Sequence, residues 1–164
     1  MELKGKVVVI TGGSGGIGRA MAKAFLAQGA KAIMLADLDE AAVTAAAKEI
    51  GCDGMACDVT QESQVQALVK ATMDKYGPID LFCSNAGAGG KGVLTDAPNE
   101  VWQKQWDLHV MSHLYAARAV LPSMIERGSG YLRGRHTFRI TDDGIAVFPR
   151  LEAAQSRTPD PAAP

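Results

Sequence analysis

No stretch of this 164-residue chain approaches the roughly 18 consecutive apolar residues that a membrane span needs. The first apolar run, Val7 to Ile10, is also too short for the core of a signal peptide, so neither a membrane partner nor an export signal is expected. An excess of one charge is missing too. Lysine and arginine total 17 against 18 aspartates and glutamates, which leaves no basic footprint for nucleic acid and no polybasic patch for an anionic membrane. A small polar ligand or a protein partner is the expectation that remains. Cysteine is scarce and odd in number: Cys52, Cys57 and Cys83 read as reduced thiols in a cytoplasmic protein rather than as disulfides. Their nearest histidine in sequence is His109. His109 and His113 stand one helical turn apart without a nearby third ligand, so no metal site is expected.

What the chain does have is an alternation of short β-branched runs with longer helical stretches, the pattern of a parallel sheet with crossover helices. Val7 to Ile10 reads as a buried strand. Ile17, Met21, Phe25 and Leu26 mark a helix from Gly16 that Gly29 closes. Ala32 to Ala36 predicts a second strand, Glu40 to Ile50 a helix ended by Gly51, and Gly54 to Val59 a third strand. Val65, Leu68, Val69, Thr72 and Met73 lie on one face of a helix over 62–76, with Gly77-Pro78 as its stop and Ile79 to Cys83 as a fourth strand. A glycine-rich loop over 87–92 leads into a long helix from about Asn99 toward Pro122, with Met124 and Ile125 in its last turn. Trp102, Trp106 and Tyr115 on that helix are expected in the core or in a helix–helix interface.

Near Gly128 the composition changes. All nine lysines lie at or before Lys104, whereas five of the eight arginines fall in the last 36 residues. The seam suggests a dinucleotide-binding unit over 1–130 and a different tail over 131–164. In that tail, strands around Phe138 to Ile140 and Ile145 to Phe148 flank Asp143-Gly144 as in a hairpin, and Pro159 to Pro164 is expected to be disordered.

The chemistry sits between the first strand and the first helix, in Thr11-Gly12-Gly13-Ser14-Gly15-Gly16-Ile17-Gly18. Glycines there allow a tight turn and let backbone N–H groups approach a pyrophosphate at the helix N-terminus. Asp37, 19 positions after Gly18, ends the second strand, where a carboxylate can accept hydrogen bonds from ribose hydroxyls. A methyltransferase can use an acid at that place as well.

Thr-Gly-x-x-x-Gly-Ile-Gly at Thr11 to Gly18, Asp58-Val59 closing the third strand and Ser84-Asn85-Ala86-Gly87 closing the fourth stand in the order that resembles a short-chain dehydrogenase/reductase. The resemblance runs from about Leu3 to Gly130, and its Asn-Ala-Gly element argues against a methyltransferase. It implies an α/β fold, a Rossmann-type doubly wound parallel sheet, here truncated after about the fourth strand. It also implies that Gly12, Ser14, Gly16, Ile17 and Gly18 surround the pyrophosphate, Asp37 the adenosine ribose, Asp58 and Val59 the adenine, and Asn85, Ala86 and Gly87 the nicotinamide-side ribose. Singly, Asp58 could equally cap a helix and Asn85 a turn. A carboxylate about 4 Å from a 2′-phosphate costs roughly 1 to 4 kcal/mol. No Lys or Arg in the glycine turn or directly after Asp37 offsets that cost, so NAD(H) is expected over NADP(H).

The departures are as informative. The family transfers hydride with a tyrosine, a lysine four positions later and a serine. The only tyrosines here are Tyr76, Tyr115 and Tyr131, and the residues four positions after them are Asp80, Ala119 and Arg135. A guanidinium, planar and always protonated, is no substitute for that lysine. His109 stands where the family usually has asparagine and could hold water in a relay. The expectation is therefore an NAD-dependent oxidoreductase by family, acting on an alcohol or carbonyl only if the site were complete, and inactive as this chain. The rival expectation is a non-catalytic nucleotide-binding or interaction protein that forms a homo-oligomer through the helix over 99–121. An unpaired edge on the fourth strand is expected to follow from the missing remainder.

Overall fold

Val7, Val8, Val9 and Ile10 suit a strand buried on both faces, because β-branched side chains pack well on a pleated surface. The strand they form, β1 (Val7–Thr11), is buried at every position and lies between parallel neighbours. On one side it pairs with β2 (Ala32–Asp37), from Val7 opposite Ala32 to Thr11 opposite Ala36. On the other it pairs with β4 (Leu81–Cys83), Val8 opposite Leu81 and Ile10 opposite Cys83. The strand β3 (Asp53–Ala56) lies outside β2. The computed structural model describes residues 2–89, 96–134, 136–141 and 144–149. Gly90 to Gly92 of the glycine-rich loop, Arg135, Asp142, Asp143 and the end expected to be disordered, Pro159 to Pro164, lie outside the described residues.

Alternate strand residues feed two cores. Val8, Ile10, Ile33, Leu35 and Leu81 pack with α1 (Gly16–Ala27) and α2 (Glu40–Ile50) on one face. Val7, Val9, Met34, Phe82 and Leu132 pack with α3 (Glu62–Tyr76) and α5 (Ser112–Glu126) on the other. Each fully buried Val, Leu, Ile or Phe contributes about 1.5–3 kcal/mol, so both layers are needed to hold the sheet. The helix ends follow their caps. The Asp39 carboxylate accepts from the Ala42 N–H at 2.9 Å to start α2, and Gly51, at φ 81°, ends it in the left-handed conformation.

Three expectations are corrected. The third strand stops at Ala56 rather than Val59, because Asp58 turns the chain by accepting from the N–H and hydroxyl of Thr60 at 2.9 and 2.7 Å. The helix after the glycine loop does not run evenly: α4 (Asn99–Trp106) passes into a π-helical turn, Asp107–Met111, before α5, although Met124 and Ile125 do lie in its last turn, past Pro122, as expected. The parallel sheet does not end at the fourth strand. β5 (Tyr131–Arg133) pairs alongside β4, Leu81 opposite Tyr131 and Cys83 opposite Arg133, so the expected bare edge on β4 is covered. Beyond it β6 (His136–Thr141) and β7 (Gly144–Pro149) form the expected hairpin, with β6 antiparallel to β5. The sheet order is β3-β2-β1-β4-β5-β6-β7.

Candidate active site cleft

The order reverses where the chain leaves β1 for β2 on one side and later returns to β4 on the other. Ligands of open α/β sheets bind in the crevice at the carboxyl ends of strands at such a switch point. A cleft of about 870 Å³ opens there, bounded by the glycine turn, Asp37, Asp58, the 85–88 segment and α4.

The turn is built for close backbone approach. Gly12, at φ 65°, has no room for a side chain, because a Cβ would stand 2.9 Å from the Ala86 Cα. A Cβ on Gly18 would stand 2.3 Å from the Gly12 carbonyl oxygen, so only glycine lets α1 start against the turn. α1 begins with no side-chain cap and no acidic residue in its first turn. Its first N–H groups, at Gly16, Ile17 and Gly18, have no carbonyl one turn back inside the helix, and its dipole favours an anion there. At Gly16 a Cβ would meet nothing within 4 Å, so that side of the turn is open space.

Asp37 faces the same cleft and is held in place by the turn itself. One carboxylate oxygen accepts from the Ser14 N–H at 3.0 Å and from the Ser14 hydroxyl at 2.6 Å. The other accepts from the Leu38 N–H at 2.8 Å. Ile17 and Leu38 flank this acid and are 71% and 73% exposed, two large apolar side chains on the rim of a polar cleft.

Asn85 joins the two central strands. Its Nδ2 donates to the Thr11 carbonyl at 3.0 Å and the Gly12 carbonyl at 3.4 Å. The N–H groups of Asn85 and Ala86 both donate to the Thr11 hydroxyl at 3.0 Å. The side-chain amide donors are thus spent on holding the ends of β1 and β4 together, and the segment from Ala86 to Ala88 is left facing the cleft. Gly87 is pressed by His109, whose ring would lie 2.9 Å from a Cβ there. His109 Nε2 lies 3.0 Å from the Ala88 carbonyl and 3.1 Å from the Gln105 amide oxygen. The histidine therefore ties the π turn to the cleft wall.

Every residue expected at the cofactor, Gly12, Ser14, Gly16, Ile17, Gly18, Asp37, Asp58, Val59, Asn85, Ala86 and Gly87, lines this one cleft. Asp58 stands in the wall while also turning the chain through Thr60, and Val59 is largely buried in the core beneath. Leu38, Lys104, Gln105 and Leu108 were not foreseen. Of the last three, Gln105 sits one helical turn before His109, a spacing that could have placed it on the same face. No tyrosine is among the described lining residues: Tyr76 and Tyr115 pack against the α3–α5 core and Tyr131 against the α1–α2 core. Cys57 reaches the cleft, but burial, and then the neighbouring Asp58, push its thiol up to about 11, which leaves it a poor nucleophile near neutral pH. Trp102 and Trp106 do not fill the core; they are 49% and 54% exposed.

A family model described as short chain dehydrogenase matches residues 6–132. An uncharacterized oxidoreductase of Staphylococcus saprophyticus is 36% identical over 138 residues, which are 80% of this chain and 58% of that protein. Galactitol 2-dehydrogenase of Agrobacterium fabrum is 36% identical over 132 residues, 79% of this chain and 51% of that protein. Among solved structures, a short chain dehydrogenase/reductase of Burkholderia phymatum in complex with NAD superposes with a TM-score of 0.75 at 32% identity, covering 80% of this chain and 49% of that one. The chain spans about half the length of the curated relatives it matches.

Proposed function

Because this chain belongs to the short-chain dehydrogenase family, we propose that its first 130 residues bind a nicotinamide dinucleotide, NAD(H) in preference to NADP(H). The observation that carries this reading is the Asp37 carboxylate, fixed at the end of β2 by the N–H and hydroxyl of Ser14 from the glycine turn. A cofactor's pyrophosphate suits the uncapped, acid-free start of α1, and its adenosine ribose suits Asp37. Asp58 and Val59 would border the adenine, and Ala86 and Gly87 the nicotinamide-side ribose, with Asn85 holding that segment in place. Arg19, the first cation after the turn, pairs with Glu49 on α2 rather than standing ready for a 2′-phosphate.

When bound, the dinucleotide supplies a hydride donor or acceptor, which in this family serves alcohols and carbonyls. The residues of this chain bind and orient it, but no tyrosine of the Tyr-x-x-x-Lys pattern is present to move the substrate proton. Losing a positioned acid/base costs about 10²- to 10⁴-fold, so binding without turnover is the expected behaviour. Calorimetry is expected to give tighter binding of NADH than NADPH, with Asp37→Ala narrowing the difference. Tighter NADPH binding by the unmodified chain would overturn the role of Asp37. A panel of alcohols, aldehydes and ketones is expected to show no NAD(H)-dependent rate above background, and a rate abolished by Tyr131→Phe would overturn the inactive reading.

A second reading is an interaction protein that pairs with a second copy of itself. The exposed stripe Trp102, Trp106, Val110 and Leu114 along α4, the π turn and α5 favours it. Three cysteines without a disulfide suit a reducing compartment, and a cytoplasmic setting is part of the proposal.

A further inference from the structure

Among the described residues that line the cleft, three carry formal charge: Asp37, Asp58 and Lys104. Both acids already receive donors from the protein. Asp37 takes the N–H and hydroxyl of Ser14 and the N–H of Leu38, and Asp58 takes the N–H and hydroxyl of Thr60. The Lys104 ammonium, in contrast, has no hydrogen-bond or ion-pair partner among the described residues. Its helix does not explain it either. α4 runs straight into the π turn, so the carbonyls after Lys104 are not the free end that would draw a cation.

The glycine turn over 12–18 holds no cation, and Arg19 and Lys23 on α1 are both occupied by Glu49. A dinucleotide brings two negative phosphates into a cleft whose walls already contain two carboxylates. The start of α1 offers about half a unit of positive charge. A cation at the mouth would offset more of that charge, and Lys104 is the described lining residue able to give it. Gln105 and Leu108 line the cleft beside it, and Gln105 is held to His109, so this face of α4 is fixed against the opening.

Resting on the dinucleotide reading above, we propose that Lys104 is a further cofactor-binding residue, whose ammonium closes the cleft from the α4 side against a pyrophosphate oxygen. Nothing in the glycine motif or in Asp37 signals such a residue. Its side chain is exposed on a flexible stem, which lets it swing onto the ligand after entry and makes the contact sensitive to salt.

Calorimetry of the full chain with NADH, NADPH and adenosine, at low and high salt, tests it. Lys104→Met is expected to weaken NADH and NADPH by the same factor, about two- to fivefold, and to leave adenosine unchanged. The salt dependence of NADH binding should become shallower, and Lys104→Arg should restore most of the affinity. Unchanged NADH affinity in Lys104→Met, while Asp37→Ala still alters the NADH-to-NADPH ratio, overturns the role of Lys104 and spares the dinucleotide reading. A larger loss for NADPH than for NADH places the lysine at the 2′-phosphate, and an equal loss for adenosine places it at the base; either overturns the pyrophosphate contact. Failure of the unmodified chain to bind NADH at all removes both. Thermal melts of the variants, expected to overlay the parent because Lys104 is exposed, separate a binding defect from a folding one.

Discussion

Cys83 is 1% exposed at the end of β4, between β1 and β5, and burial pushes its thiol up to about 12, with Arg133 pulling weakly the other way. Burial raises Cys52 and Cys57 to about 11, each helped by the aspartate that follows it. In each case the folded chain holds the proton more tightly than the unfolded chain, whose thiols titrate near 9.0. The stabilisation is complete below about pH 9 and is lost as the pH rises through the folded values. For Cys83 alone the loss at pH 10 relative to pH 7 is about 1 kcal/mol. Melts at pH 8 and pH 10 should show a fall that is smaller in Cys83→Ala, even though that variant starts less stable; an identical fall in the two would show that the thiol does not titrate as a buried group. At this scale the sequence was an uneven guide. Asp37 and the glycines were legible because one local motif demands those residue types. Ser14 as the clamp on Asp37 was not, since that bond joins residues 23 positions apart. Nor was Thr11, whose hydroxyl gathers the N–H groups of Asn85 and Ala86 from 74 and 75 positions away.

Elements were legible where a periodic face met a clear cap. Glu40–Ile50 and Glu62–Tyr76 fold over the ranges that their apolar spacing and glycine stops predict. The π turn carried no such signal, because the choice between four and five residues per hydrogen-bonded turn is made by packing. Here His109 ties the turn to the Ala88 carbonyl, and the Ser112 hydroxyl donates to the Leu108 carbonyl at 2.6 Å. The fifth strand was missed for a related reason. Three residues are too few to show a period, and the pairing of Tyr131 to Arg133 with β4 is a long-range choice. The turn before it depends on Gly130, at φ 153°, where a Cβ would meet the Met124 side chain at 2.3 Å. Gly130→Ala should therefore shift Met124, strain the backbone and cost about 1–3 kcal/mol of stability. Hydrogen exchange would locate the loss: the Ser84 N–H, bonded to the Arg133 carbonyl at 2.7 Å, should exchange faster in the variant. Unchanged stability and unchanged exchange at Ser84 would mean that β5 is not held by this turn.

Across the molecule the parallel strands β1 to β5 pack against α1 and α2 on one face and α3 and α5 on the other, while α4 and the start of α5 turn an apolar stripe outward. Trp102, Trp106, Val110 and Leu114 recur every four residues and are 39–54% exposed. In a regular helix of 3.6 residues per turn, four residues overshoot a full turn by about 40°, so such a stripe would wind away around the helix. The wider π turn at Asp107–Met111 takes back part of that advance and keeps the four side chains nearer one face. An exposed apolar stripe of this kind favours the self-association proposed above. A second copy of the chain would supply the matching surface by two-fold symmetry, each tryptophan pair meeting its counterpart on an antiparallel helix. Sedimentation velocity is expected to show a dimer at micromolar concentration, and Trp106→Glu to shift it to monomer, because a carboxylate would be desolvated at the centre of the contact. Trp106 is half exposed and touches neither core, so the variant should keep the parent's far-ultraviolet circular dichroism and its NADH affinity. A monomeric parent chain, or a dimer indifferent to Trp106→Glu, would leave the stripe without this role and turn the choice of function back toward nucleotide binding alone.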